Sequence, residues 1–184
     1  NSARAQIDIL LIGPLFGFTL VGNYFLGLQV VGLFLILPLI IFKYTLPQDS
    51  SGSSTKQIKI IAVVASIGFA LLGIFVAPEV ILFALPEYAD TVELIPLLSL
   101  AIIPRTVTTM LMSGFLGKEN NMHLLVGNLI AFSIVVLGIL YLPEYFDIVG
   151  LAIAYLLSVT IQTIYLLIVY LRTAKTQNLN TNRV

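Results

Sequence analysis

The charges of this chain sort by sign onto alternate sides of a series of apolar stretches. The stretches fall at about 7–22, 26–46, 58–77, 94–116, 124–142 and 149–171, and few charges interrupt them. Arg4 precedes the first, Lys43, Lys56 and Lys59 bracket the second connection, and Lys118 lies in the fourth. Arg172, Lys175 and Arg183 follow the last. The intervening connections collect Glu79, Glu87, Asp90 and Glu93, then Glu144 and Asp147, with no Lys or Arg. Cytoplasmic loops keep Lys and Arg during insertion, so the pattern predicts six crossings with both ends in the cytoplasm.

Composition narrows the class. Apolar residues make up 59% of the 184 and charged residues only 10%, which is far from a soluble domain. Runs of about 20 apolar residues match the hydrocarbon thickness of a bilayer. Period-2 alternation is absent, so the expected fold class is all-α, a polytopic membrane protein with a six-helix lobe over 1–171 and a polar cytoplasmic tail over 172–184. That tail is expected to be disordered. The expected location is the cell membrane. There is no basic patch suited to nucleic acid. The chain has no cysteine, which excludes disulfides, thiolate catalysis and cysteine metal sites. It begins at Asn1 and shows no signal-peptide pattern, so it reads as cut from a longer protein.

The 34 uncharged residues between Asp8 and Lys43 are too many for one ordinary span. Gly17, Gly22, Asn23 and Gly27 predict a break near the middle, with a tight outer turn joining two spans. Residues 47–55 read as a flexible connection, and 78–93, with Pro78 and Pro86, as the longest outer loop. Tyr24, Tyr44, Tyr88, Tyr141, Tyr145 and Tyr170 are expected at the membrane interfaces. His123 reads as solvated at a loop end. With one His, no His–Glu metal spacing and no Gly-rich phosphate loop, neither an enzyme, a metal site nor a cofactor is expected.

Arg105 is the strongest functional candidate. It sits eleven residues from either end of the fourth stretch, 94–116, where insertion of an arginine costs about 2.5–3.5 kcal/mol. Pro104 before it should loosen the backbone, and Thr106, Thr108 and Thr109 add hydroxyls. A guanidinium there could grip a phosphate or carboxylate through paired donors, or serve as a structural partner to a buried acid. Arg4 and Asp8, four apart on one helix face, are either interfacial or line the same cavity. Gln29, Asn128 and Gln162 are mid-span amides, read as helix–helix hydrogen bonds, with Gln29 and Asn128 kept as cavity candidates.

Several segments together resemble the second half of a polysaccharide flippase of the multidrug/oligosaccharidyl-lipid/polysaccharide exporter superfamily. They are Gln6-Ile-Asp-Ile-Leu-Leu-Ile-Gly with Val21-Gly-Asn-Tyr, Pro78-Glu-Val-Ile-Leu-Phe-Ala-Leu-Pro-Glu-Tyr-Ala, Gly117-Lys-Glu, and Leu142-Pro-Glu-Tyr-Phe-Asp-Ile-Val-Gly-Leu-Ala-Ile-Ala-Tyr. The resemblance implies a transporter of about twelve to fourteen spans built from two six-helix lobes around a cavity. This chain would be the C-terminal lobe, partnered by the absent N-terminal lobe, membrane lipid and a lipid-linked oligosaccharide substrate. Cavity cations would meet the phosphates of that lipid, a role open to Arg105. Two other functions remain open: half of a cation-coupled multidrug exporter, for which Asp8 is the candidate acid, and a membrane scaffold that transports nothing.

Overall fold

The computed structural model describes residues 17–53, 55–117 and 121–181, with side chains as far as 173. The described residues form helices and short turns with no strand. In chain order the helices are α1 (Phe18–Phe34), α2 (Ile36–Ser50), α3 (Lys56–Phe75), α4 (Ala77–Ala84), a 3-10 turn at Pro86–Tyr88, α5 (Thr91–Leu100), α6 (Ile102–Gly117), α7 (Asn121–Tyr141) and α8 (Pro143–Thr181). Three of these, α3, α7 and α8, are long and apolar enough to cross a membrane. The count rises to five if the bent pairs α1–α2 and α5–α6 each form one span.

Both bends have the same cause. The α1–α2 pair turns by 48° about Leu35, and α5–α6 by 41° about Ala101. Each pivot lies three residues before a proline, Pro38 or Pro104. Proline offers no N–H to the carbonyl four residues back and its ring clashes there, so the helix tilts away at Phe34–Leu35 and at Leu100–Ala101.

On α3, and in part on α7, small residues face inward and large apolar ones outward. On α3 the buried positions are Ala62, Ser66, Ala70 and Gly73, while Ile60, Ile61, Val64, Ile67 and Leu71 are exposed. On α7 the buried stripe is Leu124, Gly127, Ala131, Val135 and Ile139, and Leu125, Leu129, Leu137 and Leu140 face out. Burying small residues lets backbones approach, and outward aliphatics suit a hydrocarbon solvent. The main core joins Tyr24 and Val31 of α1 with Leu94 and Leu98 of α5, Ile102 of α6, Val135 and Ile139 of α7, and Leu151 and Ala152 of α8.

Several sequence expectations are corrected here. The tight turn expected at 22–26 lies inside α1, so residues 18–22 and 26–34 belong to one helix rather than to two spans. Gly22, Asn23 and Gly27 serve packing instead. A Cβ on Gly22 would meet the Tyr88 ring at 3.6 Å, and one on Gly27 would lie 2.6 Å from Leu98 Cδ1. The hydroxyl of Thr91 donates to Asn23 Oδ1 at 2.9 Å. Gly17, the first described residue, is the N-cap of α1, and its φ of 88° suits only glycine comfortably. Most of the first expected span, 7–22, and the whole turn at 118–120 lie outside the described residues.

Tyr24 is fully buried in the core rather than interfacial, while Tyr44, Tyr141, Tyr145 and Tyr170 are exposed. The expected outer loop at 78–93 contains helix α4 and a 3-10 turn. The expected disordered tail continues α8 as helix through Thr181. His123 is partly buried, with its ring 6.2 Å from that of Phe115 and its Nδ1 3.5 Å from Tyr165 Oη. Asp147, at φ 46°, marks the sharp change of direction before the long part of α8.

Candidate functional site

Arg105 stands in the first turn of α6, immediately beyond the bend at Ala101, and its side chain is partly exposed. Its amide donates to the Ala101 carbonyl at 3.1 Å, and Thr109 Oγ1 donates to the Arg105 carbonyl at 2.9 Å. Thus the arginine is held on a half-helix whose N-terminal end, rather than its middle, coincides with the centre of an apolar stretch. The positive end of the α6 dipole falls at the bend, one turn before Arg105.

The helix carrying Arg105 is pinned from α8. Thr163 is buried, lies 2.8 Å from Thr108 Oγ1, and comes within 2.8 Å of the Pro104 carbonyl and 2.7 Å of the Val159 carbonyl. One hydroxyl therefore ties the turn containing Pro104 to the neighbouring helix. Thr106 Oγ1 is fully buried with no hydrogen-bond partner, and so is Ser99 Oγ on the other side of the bend. Buried hydroxyls of this kind commonly hold water.

The remaining candidates scatter. Gln29 is exposed on α1, which packs on α5. Asn128 is exposed on α7 and accepts a hydrogen bond from Gln162 Nε2 on α8 at 2.7 Å. Arg4 and Asp8 lie outside the described residues. The Asn128–Gln162 bond joins two of the candidate amides directly.

A second polar centre was missed by sequence reading. Asp49, near the end of α2, pairs with Lys59 of α3 at 2.5 Å and accepts bonds from Thr55 and from Ser113 of α6, the latter at 2.7 Å. Within the connection expected to be flexible, Asp49 and Thr55 are therefore anchored to each other and to the neighbouring helices. Asp49 lies beyond the apolar stretch that ends at Leu46. Burial pushes its carboxyl up, but the hydrogen bonds from Lys59, Thr55 and Ser113 outweigh this and hold it below the ordinary carboxylate value. Gly117 makes room for the contact, since a Cβ there would sit 3.0 Å from the Ser50 amide nitrogen. The available signal was an acid placed alone in a connection otherwise flanked by lysines.

Next to Asp49 a cavity of about 640 Å³ opens between α3 and α6, with Tyr170 of α8 on its rim. No protein-family model, curated protein or solved structure matches the chain.

Proposed function

We propose that the chain is one lobe of a membrane transporter that moves an anionic, lipid-linked oligosaccharide across the cell membrane by alternating access. The observation that carries this reading is an arginine, Arg105, in the first turn of α6 just beyond the bend of an apolar helix pair. Broken helices with half-helix N-termini near the bilayer midplane are a recurring way for transporters to hold anionic groups. An arginine adds the planar pair of donors that matches phosphate. A second lobe would supply the other wall of the cavity and further cations.

The rival exporter reading asks for an unpaired acid within a span. Its candidate, Asp8, lies outside the described residues, and Asp49, the acid found at the end of α2, is paired with Lys59. The scaffold reading predicts that Arg105 can be changed without loss of any transport.

In cells carrying the whole protein, Arg105→Ala should abolish delivery of the lipid-linked glycan while leaving the amount inserted unchanged. Arg105→Lys should restore only part of it, because an ammonium keeps charge but loses the two-donor geometry. Full transport in Arg105→Ala would end the proposal. Loss of folded protein in Arg105→Ala, repaired by also neutralising Asp8, would identify a structural ion pair instead.

A further inference from the structure

The cavity between α3 and α6 has a polar mouth and an apolar body. Lys56, Lys59 and Asp49 stand at the mouth, together with Thr55. Asp49 neutralises Lys59, which leaves Lys56 as the surplus positive charge among the described residues that line the cavity. Lys56 is exposed at the first position of α3. Thr55, at the N-cap, directs its hydroxyl to Asp49, and no side chain caps α3, so the positive end of that helix lies beside Lys56. Below the mouth the walls are Ile60, Val63 and Val64 on one side and Val107, Met110 and Leu111 on the other. Ile60 and Val64 are 52% and 62% exposed, so the body of the cavity opens on the outer face of the bundle.

We infer that this cavity binds an anionic phospholipid, its phosphate held by Lys56 at the start of α3 and its alkyl chain lying along the apolar walls. A soluble anion would leave those walls facing an empty groove, and a sugar would find too few polar partners in them. The volume, about 640 Å³, falls in the range of roughly 300–1,000 Å³ usual for small-molecule sites. A lipid satisfies both halves at once, with the headgroup at the end of the bundle that carries Lys43, Lys56 and Lys59. The inference rests on the membrane character of the chain and is independent of the transport reading.

Native mass spectrometry of the purified full chain in detergent, given equal amounts of phosphatidylglycerol and phosphatidylethanolamine, tests it. The unmodified chain should retain a single phosphatidylglycerol in preference by about fivefold, the factor expected from one lysine acting on an anionic headgroup. Lys56→Gln should bring the two lipids to parity. Lys43→Gln, on an exposed lysine outside the cavity, should leave the preference intact. Val107→Trp, which fills the apolar wall, should lose both lipids, and Val64→Gln, at an exposed position, repeats that test without crowding the core. Parity in the unmodified chain, a preference that survives Lys56→Gln, or an equal fall in Lys43→Gln would overturn the site. Retention of both lipids by helical, folded Val64→Gln would overturn it as well.

Discussion

Ser113 of α6 donates a hydrogen bond of 2.7 Å to the carboxylate of Asp49, a residue 64 positions earlier at the end of α2. The same carboxylate holds Lys59 and Thr55, so one acid fastens the ends of three helices. The clasp closes the basic end of the bundle and forms one side of the cavity mouth.

The clasp should be sensitive to acid. The Asp49 carboxyl is held below its ordinary value of 3.8, so its contribution to stability is complete above that value and is lost as pH falls through the lower folded value. Asp49→Ala removes the acceptor of three donors and should cost about 1–3 kcal/mol near neutral pH. In thermal unfolding of the detergent-solubilised chain, the difference between the parent and Asp49→Ala should shrink below about pH 4. A gap that stays constant down to pH 2 would show that the carboxylate charge contributes nothing.

Glycines should divide into two groups. At Gly138 on α7 an added Cβ would lie 2.5 Å from Ala154 Cβ and 3.1 Å from Ala154 Cα, and a backbone carbon has nowhere to retreat. Gly138→Ala should therefore push α7 and α8 apart and cost about 1–3 kcal/mol. Gly68 on α3 has nothing within 4 Å, so Gly68→Ala should be neutral or add up to about 1 kcal/mol through helix propensity. Equal melting temperatures for the two variants would contradict the close α7–α8 packing.

How much of this was legible depends on range. Apolar period and proline position are local, and they announced helices and the loosening at Pro104. The glycines at 22 and 27 and Asn23 were misread, because the same residues that permit turns also permit helices to touch, and only the partners Tyr88, Leu98 and Thr91 decide between the two. Pro38 gave the same signal as Pro104 and has the same effect, but no charge beside it drew notice. Asp49 was passed over because its partners lie 6, 10 and 64 residues away, across a turn and two helices. Likewise the bond that steadies the Arg105 helix needs Thr163, which is 59 residues from Pro104.

The amide pair offers a direct test of structural against functional use. Gln162 is 2% exposed and donates to Asn128 at 2.7 Å, linking α7 and α8. Interhelical hydrogen bonds in membranes average about 0.6 kcal/mol and reach about 1.7. A double-mutant cycle with Asn128→Leu and Gln162→Leu should give a coupling in that range by reversible unfolding in mixed detergent. A coupling of zero would show that the contact does not stabilise the pair. A loss of transport in Asn128→Leu without loss of stability would return Asn128 to the list of cavity contacts.

Sidedness can be read with single cysteines, since the natural chain has none. Ser51 and Glu87 are separated by α3, one candidate crossing, and must lie on opposite faces if α3 spans the membrane. Between Glu87 and Tyr145 the chain passes through the bent pair α5–α6 and then α7. Two crossings return it to the same face, so these exposed positions should label together. In intact cells a membrane-impermeant maleimide should modify Glu87→Cys and Tyr145→Cys, whereas Ser51→Cys should react only after lysis, because the lysine-rich connection is held inside. Labelling of Glu87→Cys without Tyr145→Cys would mean that α5–α6 does not act as a single span. Labelling of Ser51→Cys alone would keep the bundle and reverse its orientation, placing Lys56 and Lys59 outside against the charge rule.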